Sequence, residues 1–101
     1  MPGKDFRFGI SSNAQGVDLN QLLVDHALST YFMRVAADIP ELDLRSGDIL
    51  VVDRSLQPKK ADLIVVSEQA DPELKITRFA DLSGELQLWG VVMHVIRKIR
   101  A

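Results

Sequence analysis

The stretch S-T-Y-F-M-R-V-A-A-D-I-P-E-L-D-L-R-S-G-D-I-L-V-V-D-R-S, Ser29 to Ser55, decides the fold. Tyr31, Met33 and Val35 alternate with Phe32, Arg34 and Ala36, a period of two rich in β-forming side chains, which predicts a strand. Asp38-Ile39-Pro40 interrupts it. Pro40 has no N–H and biases Ile39 towards extended geometry, so a ladder cannot run through unaltered. Ser46-Gly47-Asp48 predicts a turn, and the apolar run Ile49-Leu50-Val51-Val52 suits a buried strand.

Working outward, Gln57 to Asp62 reads as a turn and Leu63-Ile64-Val65-Val66 as another buried strand. Asp71-Pro72 reads as a hairpin turn, and Glu73 to Phe79 alternates as a strand. Leu86 to Ile99 predicts a long strand bent or bulged at Gly90. Upstream, Asp18 to Val24 is the best helix: Asp18 can cap it, Gln21 sits at the capping-box position, and Leu19, Leu22 and Leu23 share a face. Residues 1–16, polar and rich in small residues, read as a flexible arm with Phe6, Phe8 and Ile10 as anchoring points, or equally as an edge strand. Residues 17–101 then form a single domain.

At 101 residues there is core enough for one domain and no more. A formal net charge of −2 gives no global reason to expect specific DNA binding or attachment to a membrane surface. The absence of cysteine excludes disulfides, thiolate catalysis and cysteine-ligated zinc. No apolar run approaches the roughly 20 residues of a membrane span, and no secretory leader pattern is present, so a cytoplasmic location is expected.

Chemistry-bearing residues are sparse. Asp38, Asp43, Asp48 and Asp53 recur every five residues, but that spacing alternates faces on a strand and aspartate is common in turns, so no metal is expected; Asp38 and Asp48 read as turn and capping residues. His26 and His94 lack a third ligand and read as structural. Arg97, Lys98 and Arg100 read as a solvated basic end. Trp89 reads as core, with an interface anchor as the other reading. No cofactor is expected.

Several segments resemble the LexA/UmuD family of self-cleaving serine–lysine peptidases. D-L-N-Q-L-L followed by D-H-A-L-S-T-Y-F, Asp18 to Phe32, is similar to the UmuD branch, which has D-L-N-Q-L-L and then H-P-S-A-T-Y-F. S-G-D-I-L-V-V-D-R-S resembles the family's G-D-x-L-x-V-D motif, and W-G-V-V-M-H-V-I resembles its terminal F-G-V-V-x-H-V-x. The resemblance covers Asp18 to Arg100. It implies a mostly β fold, a small twisted and partly closed barrel with one short helix.

The same resemblance implies that the chemistry is gone. The family's G-D-S-M is matched by Ala37-Asp38-Ile39-Pro40, which puts Ile39 at the nucleophilic serine. Its D-G-E-F-T-V-K is matched without gaps by Asp71 to Thr77, which puts Thr77 at the base lysine. A serine–lysine protease needs a hydroxyl nucleophile and a lysine of lowered pKa, and neither residue supplies its part. Lys75, with Ser46 or Ser55, offers a displaced dyad, but those positions are not aligned for it and read as surface and turn residues. The connection between Phe79 and Trp89 is shorter than is usual in the family.

In the UmuD branch, self-cleavage removes an N-terminal arm, and the trimmed dimer serves an error-prone translesion polymerase in the SOS response. This chain starts about where that trimmed form, UmuD′, starts. The expectation is a pseudo-peptidase: a UmuD′-like homodimer engaging a UmuC-type polymerase or a RecA filament. Its surface would draw on the helix region (Leu19, Leu22, Leu23), the arm (Phe8) and the terminal strand (Trp89). Alternatives are a regulator that pairs with a catalytic LexA/UmuD relative, a self-cleaving peptidase with a displaced dyad, and a binding protein that keeps only the fold.

Overall fold

The computed structural model describes residues 18–68 and 71–100. The expected arm, Phe8 included, lies outside the described residues. A short helix α1 (Leu19–Leu23) precedes five strands: β1 (Thr30–Arg34), β2 (Ile49–Asp53), β3 (Leu63–Glu68), β4 (Asp71–Arg78) and β5 (Leu86–Ile96). They form one antiparallel sheet in the order β1-β2-β5-β3-β4. The mostly β architecture with one short helix is the expected one. Among the described residues the sheet stays open, with β1 and β4 as its edges, so the expected partial closure into a barrel is not reached there.

Local chemistry accounts for the elements. Asp18 caps α1, its carboxylate accepting from the backbone N–H of Asn20 at 3.0 Å and of Gln21 at 3.5 Å. The turn before β2 is built on Gly47, whose φ of +92° an L side chain rarely adopts. The hairpin between β3 and β4 corrects the expected turn at Asp71-Pro72. Glu68 pairs with Asp71, so both residues of that dipeptide belong to β4. Pro72 is tolerated there because β4 is an edge strand. β5 stops at Ile96, short of the Ile99 expected from the apolar run.

Each face of the sheet carries a buried cluster. On one face Val35, Leu44, Leu50, Val52 and Val65 form a buried cluster, against which Met33, Ile39, Leu74, Ile76 and Trp89 pack. On the other, Ile64, Val66 and Val91 form a second cluster. Two irregularities in β5 reconcile the faces. Val51 pairs with His94 but Val52 with Val92, which leaves Met93 as an extra residue. Val65 pairs with Gly90 but Val66 with Leu88, which leaves Trp89 extra, beside the glycine expected to mark the bulge. Gly90 is also a site of close approach: a Cβ there would lie 2.6 Å from Val52 Cγ1.

Candidate functional site

Ile39 sits in the connection from β1 to β2, which is closed on itself by backbone hydrogen bonds. Val35 N–H donates to the Asp48 carbonyl and Gly47 N–H to the Val35 carbonyl, both at 2.8 Å. Further in, Ile39 and Leu44 exchange bonds of 2.9 and 3.1 Å, and residues Pro40–Leu42 make a single 3₁₀ turn. Pro40 at the first position needs no donor, and Asp43 ends the turn in the left-handed conformation, φ 57°. Asp38 accepts from Ser46 N–H at 2.8 Å, and the Ser46 hydroxyl donates to the Ala36 carbonyl at 3.2 Å.

A buried ion pair fastens this connection to the end of β5. Asp48 is 2% exposed, and Arg97 grips it with Nε on Oδ1 at 2.8 Å and Nη2 on Oδ2 at 2.6 Å. Nη2 also donates to the Asp43 carbonyl at 2.8 Å. The Arg97 guanidinium holds the Asp48 carboxyl down at about 2, against the opposing effect of burial. Arg97 is therefore not part of a solvated basic end. The geometry is bidentate, which is why an arginine is needed there and a lysine would not do.

Along one side of the connection runs an apolar groove of about 440 Å³, lined by Met33, Val35, Ala37, Ile39, Leu74 and Ile76, with Lys75 also in its lining. Ile39 also borders a smaller hollow of about 210 Å³ with Thr77 and Asp81. The two residues singled out on β4 each share a hollow with Ile39, Lys75 the groove and Thr77 the smaller one. Ile76 pairs with Val65 and packs with Ile39 on the first cluster, whereas Thr77 pairs with Ile64 and Lys75 with Val66, both of the second cluster. Strand alternation thus gives Lys75 and Thr77 the second cluster's side of β4, and each still borders a hollow that Ile39 lines. Lys75 Nζ is bonded to Glu68 Oε1 at 2.7 Å.

Ser55 lies at the opposite end of β2, roughly 17 Å along a five-residue strand from the Ile39 connection. There it joins a polar knot that sequence reading did not find. The buried Asp53 carboxylate accepts from Ser55 Oγ at 2.7 Å, Ser55 N–H at 2.8 Å and Ser29 Oγ at 3.0 Å, all on Oδ1. His26 Nδ1 lies 2.7 Å from Oδ2. Burial raises the Asp53 pKa, but the bonds from Ser55, His26 and Ser29 outweigh it and hold the carboxyl well below the usual range. The Asp53 hydrogen bond, opposed by desolvation and helped by the charges of Asp53 and Asp25, raises His26 above 6.5.

Serine, histidine and aspartate together invite comparison with a hydrolytic triad, and the geometry denies it. Ser55 Oγ approaches His26 at Nδ1, 3.3 Å away, the same nitrogen that faces Asp53. A triad needs the serine on Nε2. Asp53 at the head of D-R-S is a recognisable side-chain-to-backbone turn; the His26 partnership spans 27 positions and has no local signature.

The remaining expected surface residues divide. Leu19 and Leu22 on α1 are exposed, at 61% and 57%, and Leu23 is half-buried. Trp89 packs against the first cluster, meets Tyr31 edge-on at 5.1 Å and carries the Arg54 guanidinium 4.3 Å above its ring. It combines core and rim. Among the described residues no helix is long and apolar enough to cross a membrane.

No family model matches the chain. Individual relatives do. The chain is 36% identical to protein MucA of Salmonella typhimurium over 110 aligned positions, which cover 85% of this chain and 75% of MucA. It is 28% identical to protein SamA of Salmonella typhimurium, over 84% of this chain and 71% of SamA. Protein ImpA of Escherichia coli is also 28% identical, over 85% of this chain and 71% of ImpA. Together with the mostly β sheet, these relatives establish that the chain belongs to the UmuD family.

Proposed function

We propose that this chain is a catalytically inactive, UmuD′-like protein of the SOS response to DNA damage, a dimeric accessory or regulatory subunit of an error-prone translesion polymerase. The observation that carries the reading is Ile39. At the place where the family resemblance puts the nucleophile stands a side chain with no hydroxyl, packed on the core, in a connection whose backbone bonds are made. Lys75 is engaged by Glu68 at 2.7 Å and, among the described residues, no serine lines the groove it shares with Ile39, which argues against a displaced dyad. A module freed from self-cleavage keeps only the binding half of the family's work. The apolar groove beside Ile39 favours a second reading, a regulator that pairs with a catalytic relative, because such a groove suits an extended apolar segment.

The test has two arms. Purified chain incubated with RecA on single-stranded DNA and a nucleotide is followed by intact mass; the expected result is no shortened product. A tagged chain recovered from DNA-damaged source cells should retain a UmuC-type polymerase or RecA. Cleavage abolished by Lys75→Ala would overturn the inactive reading. Retention of a catalytic LexA/UmuD relative alone would make the chain a regulator.

A further inference from the structure

The segment from α1 to β1 is attached to the sheet in an unusual way. No residue of α1 or of the 3₁₀ turn Ala27–Ser29 is buried, and Leu28 is fully exposed. Apolar burial in this segment is confined to the half-buried Leu23 and Val24 at the end of the helix. Polar bonds at the end of β2 hold the remainder: His26 Nδ1 to Asp53 at 2.7 Å, Ser29 Oγ to Asp53 at 3.0 Å, and Arg54 N–H to the Ser29 carbonyl at 2.8 Å. The His26 carbonyl, in turn, accepts from Thr30 Oγ1 at 2.7 Å and Ser29 N–H at 3.1 Å, so the ring position and the turn move together.

The two ends of the His26–Asp53 bond differ in their freedom. Asp53 is 2% exposed and stays anchored through Ser55 whatever His26 does. The His26 side chain is 53% exposed and exchanges protons with solvent. The charges acting on it are Asp53, across from β2, and Asp25 on its own segment. Ser55 Oγ touches the same ring nitrogen, and Arg54 is turned away, with its guanidinium over Trp89 and its Nε on the Trp89 carbonyl. A protonated ring must donate from Nδ1 as a cation. A neutral ring has one N–H, which gives a weaker bond from Nδ1 or none if the proton sits on Nε2.

We propose that His26 and Asp53 form a protonation-dependent latch, which holds the Leu19–Ser29 segment with its exposed Leu19, Leu22 and Leu28 on the sheet and loosens it as pH rises. A raised histidine contributes its full stabilisation below the unfolded value of 6.5 and loses it as pH rises through the folded value, so the latch opens on the alkaline side. The inference is independent of the proposed role, since it concerns only how the segment is attached.

Amide hydrogen exchange of the full chain from pH 5.5 to 9, corrected for intrinsic rates, tests it beside an NMR titration of the His26 ring. The diagnostic amides are Val24, Ser29 and Arg54, which donate to Asn20, His26 and Ser29. Their protection should fall about fivefold, the ratio of a charged to a neutral hydrogen bond, with the midpoint of the His26 titration. Amides of β3 and β5 should not follow. His26→Gln keeps a neutral partner for Asp53 and should show the weaker protection at every pH, with no step. Protection that ignores the His26 midpoint, or a step of equal size in His26→Gln, would overturn the latch.

Discussion

Gly90→Ala asks whether the sheet tolerates a single added carbon at its central strand. The new Cβ would lie 2.6 Å from Val52 Cγ1, with Arg54 Cγ at 3.4 Å and the Asp53 carbonyl at 3.5 Å. Carbon atoms settle at about 3.5–4.0 Å, so Val52 or the β5 backbone must give by roughly 1 Å. Val52 is fully buried in the cluster with Val35, Leu44, Leu50 and Val65. Overpacking of this kind costs about 1–3 kcal/mol. Against it stands the lower chain entropy of the unfolded alanine variant, about 0.4–1 kcal/mol. The clash wins, by about 1–2 kcal/mol, which for a domain this size lowers the melting temperature by about 5–15 °C. Urea denaturation of Gly90→Ala, Val52→Ala and the double variant checks the cause as well as the sign. Val52→Ala removes the obstructing methyl, so the double variant should lose at least about 0.5 kcal/mol less than the sum of the singles. A neutral Gly90→Ala, or strict additivity, would refute the reasoning.

Arg97→Met should leave the buried Asp48 carboxylate without its counter-charge, held only by the Arg45 N–H at 2.9 Å. Because Arg97 depresses the Asp48 carboxyl from 3.8 to about 2, the parent's advantage is complete above pH 4 and shrinks as pH falls towards 2, which denaturation curves at several pH values will read. Gly47→Ala adds a Cβ that meets nothing within 4 Å but forces φ +92° on an L residue; a loss of about 1–2 kcal/mol by chemical denaturation is expected, purely from the backbone. Lys75→Ala should stay within about 1 kcal/mol of the parent in the same assay, because its pair with Glu68 is solvent-exposed on both sides.

What could be read without coordinates was whatever short-range chemistry determines. Asp18 as a cap, Gly47 in a turn, Gly90 beside a bulge and the alternating strands all follow from residues within a few positions of one another. The hairpin at Asp71-Pro72 was misplaced because its reversal depends on pairing with Glu68 across an irregular register, and an edge strand excuses the proline. Alternation put Lys75 and Thr77 on a common face, but which face could be known only once β4 lay beside β3. The ion pair of Arg97 with Asp48 spans 49 positions, and the His26–Asp53 bond spans 27; no periodicity encodes either. Both polar anchors of β2 are therefore invisible in the sequence, although Asp48 reads as a turn residue beside Ser46 and Gly47.

The strand order carries a further consequence for how the molecule is made. β5 is the last of the described strands yet lies in the middle of the sheet, between β2 and β3. On the ribosome, only the β1–β2 and β3–β4 hairpins can form before it emerges, each with its most apolar strand unpaired along one side. Emerging at about 5–20 residues per second, the chain spends seconds in that state, with the Ile49–Val52 and Leu63–Val66 runs open to any chaperone or sister chain. Arrival of β5 joins the two halves in one step, and Arg97, just beyond it, then locks Asp48. Assembly of this protein is thus held back until almost the whole described chain exists, and its vulnerability to aggregation is concentrated in the interval before.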